Sequence, residues 1–138
     1  MITQETLSFR TNGRSTSNIS SQINDIVTRS GMQSGIANIF VQHTSASLIL
    51  CENADPTVRS DLESFMSRIT PDGDPLYQHT DEGPDDMPAH VRTVLTDSSL
   101  TIPFRAGHLL LGTWQGVFLW EHRTMPHSRS IIISLYGE

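Results

Sequence analysis

Residues 99–136, SLTIPFRAGHLLLGTWQGVFLWEHRTMPHSRSIIISLY, decide the fold class. Short apolar runs at Leu100–Phe104, Leu109–Leu111, Val117–Glu121 and Ile131–Tyr136 are separated by Arg105-Ala106-Gly107, by Gly112 and by the polar loop His122–Ser128. Runs of this length bounded by turn residues predict strands, and connections this short predict antiparallel neighbours. The last third of the chain therefore reads as all-β.

Upstream, strands alternate with helical patterns. Residues 4–10 put Leu7 and Phe9 on one side and Thr6, Ser8 and Arg10 on the other, as a half-buried strand does. Asn12-Gly13 is a hairpin-type turn signal, followed by a polar extended segment to Ile19. Ser20 or Ser21 caps a helix carrying Ile23, Ile26 and Val27 at helical spacing, and Gly31 stops it. Residues 35–50 read as a strand, a break and a second strand. Ile36, Ile39, Phe40 and Val41 put apolar groups on both faces, which predicts a central strand.

Asp55-Pro56 opens a second helix, with Val58, Leu62, Phe65, Met66 and Ile69 as its apolar stripe. Pro71 ends it. A third helix is predicted from Pro88, with Asp86 as a candidate cap and His90, Val91, Val94 and Leu95 on one face. The composite is a single α+β domain over residues 1–138, an antiparallel sandwich or barrel-like sheet with about three helices.

Composition bounds the function. The net charge of −6 supplies no basic stripe for a phosphate backbone, which argues against nucleic acid as a partner. No apolar run approaches membrane-spanning length, and Met1-Ile2-Thr3-Gln4-Glu5 lacks a signal-peptide pattern, so a cytoplasmic protein is expected. Cys51 is the one cysteine; it follows an apolar run and reads as core. Six histidines in 138 residues are the compositional oddity.

Two of the six lie in Tyr77–His90, YQHTDEGPDDMPAH, which also holds four carboxylates and almost nothing that fills a core. Imidazoles beside carboxylates are the usual ligands of a divalent metal and the usual groups for proton transfer, but an acidic loop leading into a helix has the same composition. His43 shares a face with Ile39 and Val41, where a lone histidine is more often a satisfied core residue than a ligand. Phosphate-loop, His-Glu-x-x-His, Cys-x-x-Cys and Gly-x-Ser-x-Gly motifs are absent.

Longer strings carry more. HTSASL (43–48), ENADPTVRSDLE (52–63), YQH (77–79), EGPDDMPAH (82–90), LGTWQGVFLWEHR (111–123) and the terminal R-x-I-I-I-x-L-x-G-E together resemble the YjbQ-type family, also called the secondary thiamine-phosphate synthase family. The resemblance implies a compact α+β domain assembled as a homotrimer. It also implies a polar site between the HTSA strand end and the DDMPAH helix, with His43, His79 and His90 as metal ligands. The residues matching the motifs further imply Glu82, Asp86 and Arg123 as catalytic groups, and Glu52, Asn53, Asp85, Gln115 and His122 as substrate contacts.

Three imidazoles suit Zn²⁺ better than Mg²⁺, which prefers oxygen ligands. The family's name instead implies joining a pyrimidine diphosphate to a thiazole phosphate, chemistry that usually leans on Mg²⁺. The expectation is therefore a metal-binding enzyme of a small phosphorylated molecule, with thiamine-phosphate synthesis as a secondary activity. The alternatives are a metal-dependent hydrolase or lyase, and a non-catalytic metabolite-binding trimer.

Overall fold

A computed structural model describes residues 1–138. In chain order the elements are β1 (Ile2–Asn12), β2 (Ser15–Asn18), α1 (Ser20–Ser30), β3 (Ser34–Val41), β4 (Ala46–Glu52), α2 (Pro56–Ile69), α3 (Asp86–Leu95), β5 (Ser99–Arg105), β6 (His108–Leu109), β7 (Gln115–Glu121) and β8 (Pro126–Gly137). The strands form two antiparallel sheets, one ordered β1-β8-β3-β5-β6 and one ordered β2-β7-β4. The α+β class, the three helices and the central position of β3 agree with the sequence.

The connections do not all follow the short-loop rule. The turn after Asn12 carries the chain from one sheet to the other instead of closing a hairpin, since β1 pairs with β8 and β2 with β7. Gly13 makes this possible: its φ is 112°, and a Cβ there would lie 2.9 Å from the Thr124 carbonyl oxygen. The short loop between β7 and β8 likewise crosses between sheets.

The core lies between the two sheets. Ala37, Ile39 and Val41 of β3, Ile131, Ile133 and Leu135 of β8, and Leu48, Val117 and Leu119 of the smaller sheet meet Ile19, Ile23, Ile26 and Val27 at α1. Gly31, with φ 72°, ends α1 as its position predicted. α2 and α3 cover the other face of the smaller sheet, where the Arg59 guanidinium sits 4.5 Å from the Phe118 ring centre and Glu63 accepts from Trp120 Nε1 at 3.4 Å.

Both of those helices depart from their sequence patterns. Of the α2 stripe only Met66 is buried, while Phe65 and Ile69 stand about half exposed. α3 begins at Asp86, two residues before Pro88, and buries Asp86, Ala89, Arg92 and Thr93 while Val94 and Leu95 face outward. Its inward face is polar because Glu63 on α2 receives Arg92 at 2.8 and 2.6 Å, which neutralises a guanidinium that is 0% exposed. Cys51, on β4, is half-buried and free. No helix is long and apolar enough to cross a membrane.

Candidate metal centre

α3 delivers two of the groups that matter, because residues four apart share a helix face. Asp86 opens the helix and His90 follows one turn later, with His90 Nε2 3.2 Å from Asp86 Oδ2. His79, from the loop before α3, brings its Nε2 to 2.8 Å from the same oxygen. The two rings stand edge to face with centres 5.4 Å apart. One ligand atom from each of the three residues lies within 4.8 Å of the others.

The hydrogen bonds around this cluster fix its chemistry. His90 Nδ1 lies 3.1 Å from the Thr44 carbonyl oxygen, which only accepts, so that nitrogen carries the ring proton. Nε2 of the same ring faces a carboxylate oxygen. Two lone pairs at that distance repel unless a proton or a metal cation lies between them. Four-coordinate zinc with ligands near 2.0–2.1 Å sets neighbouring donors about 3.3 Å apart; the His90–Asp86 contact has that spacing, and the His79–Asp86 contact at 2.8 Å is shorter. The donor set fits a divalent transition ion.

Asp86 itself is held from behind. Its side chain is 3% exposed, and Arg123 Nη1 reaches its other oxygen, Oδ1, at 3.0 Å. Arg123 also donates from Nε to Asp85 Oδ2 at 2.9 Å and from Nη2 to the Glu82 carbonyl at 2.9 Å. Asp85 accepts the Thr124 N–H as well. Burial pushes the Asp85 carboxyl up, but the Thr124 N–H and the Arg123 guanidinium outweigh it and hold the group down at about 2. Every Arg123 nitrogen is thus committed within the chain, and Arg123 positions Asp86 rather than reaching outward for a phosphate.

A cavity of about 330 Å³ opens beside His79, lined by Tyr77, Thr80, Pro84 and Met87 among others. The Glu82 side chain is 66% exposed, with Oε2 3.6 Å from Arg123 Nη1.

The other residues marked in the sequence lie apart from this cluster. His43 does not join it within one chain: its Nε2 accepts the Ser130 N–H at 2.8 Å, and Asp86 is the third donor instead. Glu52 accepts the N–H groups of Ala54 and Asp55, while Asn53 donates to the Thr113 and Gln115 carbonyls. Gln115 accepts from Gly112 N–H. Glu52 and Gln115 face each other at the far end of the β4–β7 ladder, six steps from Ala46 and so about 20 Å along the strands.

His122 is fully buried beneath α2 and α3. Its Nε2 lies 2.7 Å from Ser47 Oγ, its Nδ1 has no partner, and its ring centre is 5.1 Å from that of Trp120. Burial, followed by the charge of Arg92, pushes its pKa down to about 3. It is a neutral structural imidazole. Arg129, by contrast, was not singled out in the sequence. It donates from Nε to Glu121 Oε1 at 2.7 Å and lies with His43 on a second cavity. Its signal was its place in Arg129, Ile131, Ile133, Leu135, the period-two inward series of β8.

Comparison with known proteins agrees with the fold. The family model described as UPF0047 protein YjbQ-like matches residues 5–138. A UPF0047 protein of Synechocystis is 51% identical over 98% of this chain and 92% of its own length. The UPF0047 protein YjbQ of Escherichia coli O157:H7 is 42% identical over 98% of both chains. A crystal structure of a conserved hypothetical protein from Thermus thermophilus superposes with a TM-score of 0.86 at 30% identity, covering 96% of this chain and 99% of that one. The chain belongs to the YjbQ-like UPF0047 family.

Proposed function

We propose that this YjbQ-like protein is a metal-dependent enzyme of a small phosphorylated molecule, with His79, Asp86 and His90 as ligands to a divalent transition ion such as Zn²⁺. The observation that carries the reading is the convergence of two imidazole Nε2 atoms on one buried carboxylate oxygen, with the tautomer of His90 set by the Thr44 carbonyl. Two imidazoles and a carboxylate suit Zn²⁺ better than Mg²⁺. When bound, such an ion supplies Lewis acidity and acidifies a water held at its open position.

The chain's own residues do the rest. Arg123 and Asp85 fix the carboxylate, the cavity beside His79 receives substrate, and the exposed Glu82, next in sequence to the lining residue Gly83, is the candidate proton acceptor. Metal-dependent hydrolysis or elimination is the reaction class this arrangement serves best. Joining a pyrimidine diphosphate to a thiazole phosphate is then a secondary activity, because the donor set is poorly matched to magnesium.

Metal content of purified wild type, His79→Ala and His90→Ala tests the ligand assignment. We expect about one equivalent in wild type and loss in both variants; full metal content in both overturns the site. Incubation with pooled phosphorylated metabolites tests turnover. Depletion that vanishes in Glu82→Gln supports catalysis, and binding without depletion makes the protein a metabolite binder.

Assembly as a homotrimer belongs to the same proposal. Its support is the outer face of the larger sheet, where Ile2, Tyr136 and Ile36 align across β1, β8 and β3, with Phe40 nearby. All four are more than 40% exposed; Ile2, Tyr136 and Ile36 form one apolar row, set off from Phe40 by the polar row Gln4, Ser134 and Asn38, and exposed apolar groups of this kind mark an interface. Sedimentation equilibrium should return three times the 15.3 kDa chain mass, and a monomer mass refutes it.

A further inference from the structure

The second cavity, of about 620 Å³, is lined by Phe40, Val41, Gln42, His43, Thr44, Ser45, Ser98 and Arg129, with no carboxylate among them. Two of these present hydrogen-bond donors that nothing in the chain uses. Ser130 N–H donates to His43 Nε2, so the neutral ring carries its proton on Nδ1, which has no partner. The ring stays neutral because burial, and then the charge of Arg129, lowers its pKa.

Arg129 is 3% exposed and spends Nε and Nη2 on the Glu121 carboxylate and on Ser45, leaving Nη1 without a partner. Ser45 Oγ accepts from Arg129 Nη2, so its own proton is available to a ligand. A buried guanidinium and an imidazole N–H, held with no acceptor opposite them, form a site for an oxyanion.

We propose that this cavity is the phosphate subsite of the enzyme, contacted by His43 Nδ1–H, Arg129 Nη1–H and the Ser45 hydroxyl, and that His43 is an anion contact and not a metal ligand. The inference rests on the function proposed above in one respect: it takes the phosphate to belong to the substrate of the His79–Asp86–His90 centre. The link between the two places is Thr44, whose carbonyl oxygen holds His90 while its neighbours His43 and Ser45 line the cavity. One turn of chain thus serves both the reacting centre and the group that anchors the substrate. Glu121 lies behind Arg129 and is fully buried, so it fixes the guanidinium without facing the ligand. Selection then rests on directed donors more than on net charge.

Inorganic phosphate is the probe, titrated into metal-free protein and followed by long-range ¹H–¹⁵N spectra of the histidine rings. His43 should appear as the Nδ1–H tautomer and shift on saturation. His43→Ala should weaken phosphate binding by about tenfold or more, the loss of one charge-assisted contact. His43→Gln, whose amide can accept from Ser130 and still donate, should bind within a few-fold of wild type. Zinc binding, measured separately without phosphate, should be unchanged in both variants and lost in His79→Ala.

Unchanged phosphate binding in His43→Ala overturns the subsite, as does loss of zinc in that variant. Displacement of phosphate by equimolar acetate overturns the choice of phosphate over carboxylate. If zinc binds none of the proteins while phosphate binding still depends on His43, the metal reading fails and the subsite stands.

Discussion

Acidification should unfold this protein through His122, and the size of the effect follows from where the ring sits. An ordinary histidine titrates near 6.5, whereas His122 is held at about 3 by burial and then by Arg92. Its Nε2 meets Ser47 Oγ, which Thr96 Oγ1 contacts at 2.6 Å, and its Nδ1 faces no partner that could stabilise a second proton. The depressed folded pKa fixes the sign. Above pH 6.5 the ring is neutral in both states and costs nothing. Between about 6.5 and 3 the unfolded chain takes up a proton that the folded chain refuses, so stability falls by about 1.4 kcal/mol per pH unit.

At about pH 4.5 the loss from this one ring is therefore on the order of 2.7 kcal/mol, a large part of the stability of a domain this size. The assay is urea unfolding of wild type and His122→Gln at several pH values from about 7.5 to 4.5. His43 also titrates low, but it is present in both proteins and cancels in the difference. Wild type should lose stability more steeply than the variant, by about one proton's slope. Parallel slopes refute the reasoning. Should the variant fail to fold, ring spectra of wild type decide the matter: His122 must not titrate in the native state between about pH 7 and 5.

Three further variants test the buried charges. Glu63→Ala strands Arg92, which is 0% exposed, and should cost about 3–5 kcal/mol in chemical denaturation, whereas Glu5→Ala at the exposed Arg29 pair should cost under about 1 kcal/mol. Asp85→Asn removes a carboxylate held at about 2, so the stability it adds above pH 3.8, lost in wild type as pH falls toward 2, should be missing from the variant's acid-unfolding curve. The same change loosens Arg123 behind Asp86 and should weaken zinc binding by about 10–100-fold in a competition titration. Asp86→Asn should abolish the zinc-dependent rise in Tm while leaving the metal-free protein folded, because the amide keeps the volume and removes the charge.

Much of the fold was legible because period and punctuation agreed with burial. Ala37, Ile39 and Val41 alternate inward as a central strand must, and α1 has its apolar triplet and its stopping glycine. The reading failed where a buried face is polar. Hydrophobic periodicity assigns the core side of α3 to Val94 and Leu95, yet paired charges let Asp86, Ala89, Arg92 and Thr93 face inward. His122, which the family resemblance implies as a substrate contact, lies on the buried side as well. It follows a run in which Gly116 through Glu121 are all buried, a strand covered on both faces, and a side chain leaving such a strand has little chance of meeting solvent. Of the site, His79, His90 and Asp86 are visible as an imidazole–carboxylate cluster, but not that one Asp86 oxygen meets both rings. That depends on a helix starting two residues earlier than Pro88 suggests, which brings Asp86 and His90 onto one face.

Pairing the buried charges singles out Asp86 as the carboxylate with the least counter-charge, which supports the proposed site. Arg92 belongs to Glu63, which meets it with both oxygens, and Arg129 belongs to Glu121, which does the same. Arg123 gives its Nε to Asp85, whose acceptance of Thr124 N–H completes a closed pair. Three guanidiniums are thereby matched to three carboxylates. Asp86 is a fourth carboxylate, nearly as buried as the rest, with only a share of Arg123 on Oδ1 and two imidazoles on Oδ2. A buried carboxylate without a full counter-charge is costly. The Thr44 carbonyl takes the Nδ1 proton of one of the two imidazoles that face Asp86. A divalent ion held by His79, Asp86 and His90 would supply the missing counter-charge. The surrounding arginines leave one negative charge uncompensated, and it stands where the ligands converge.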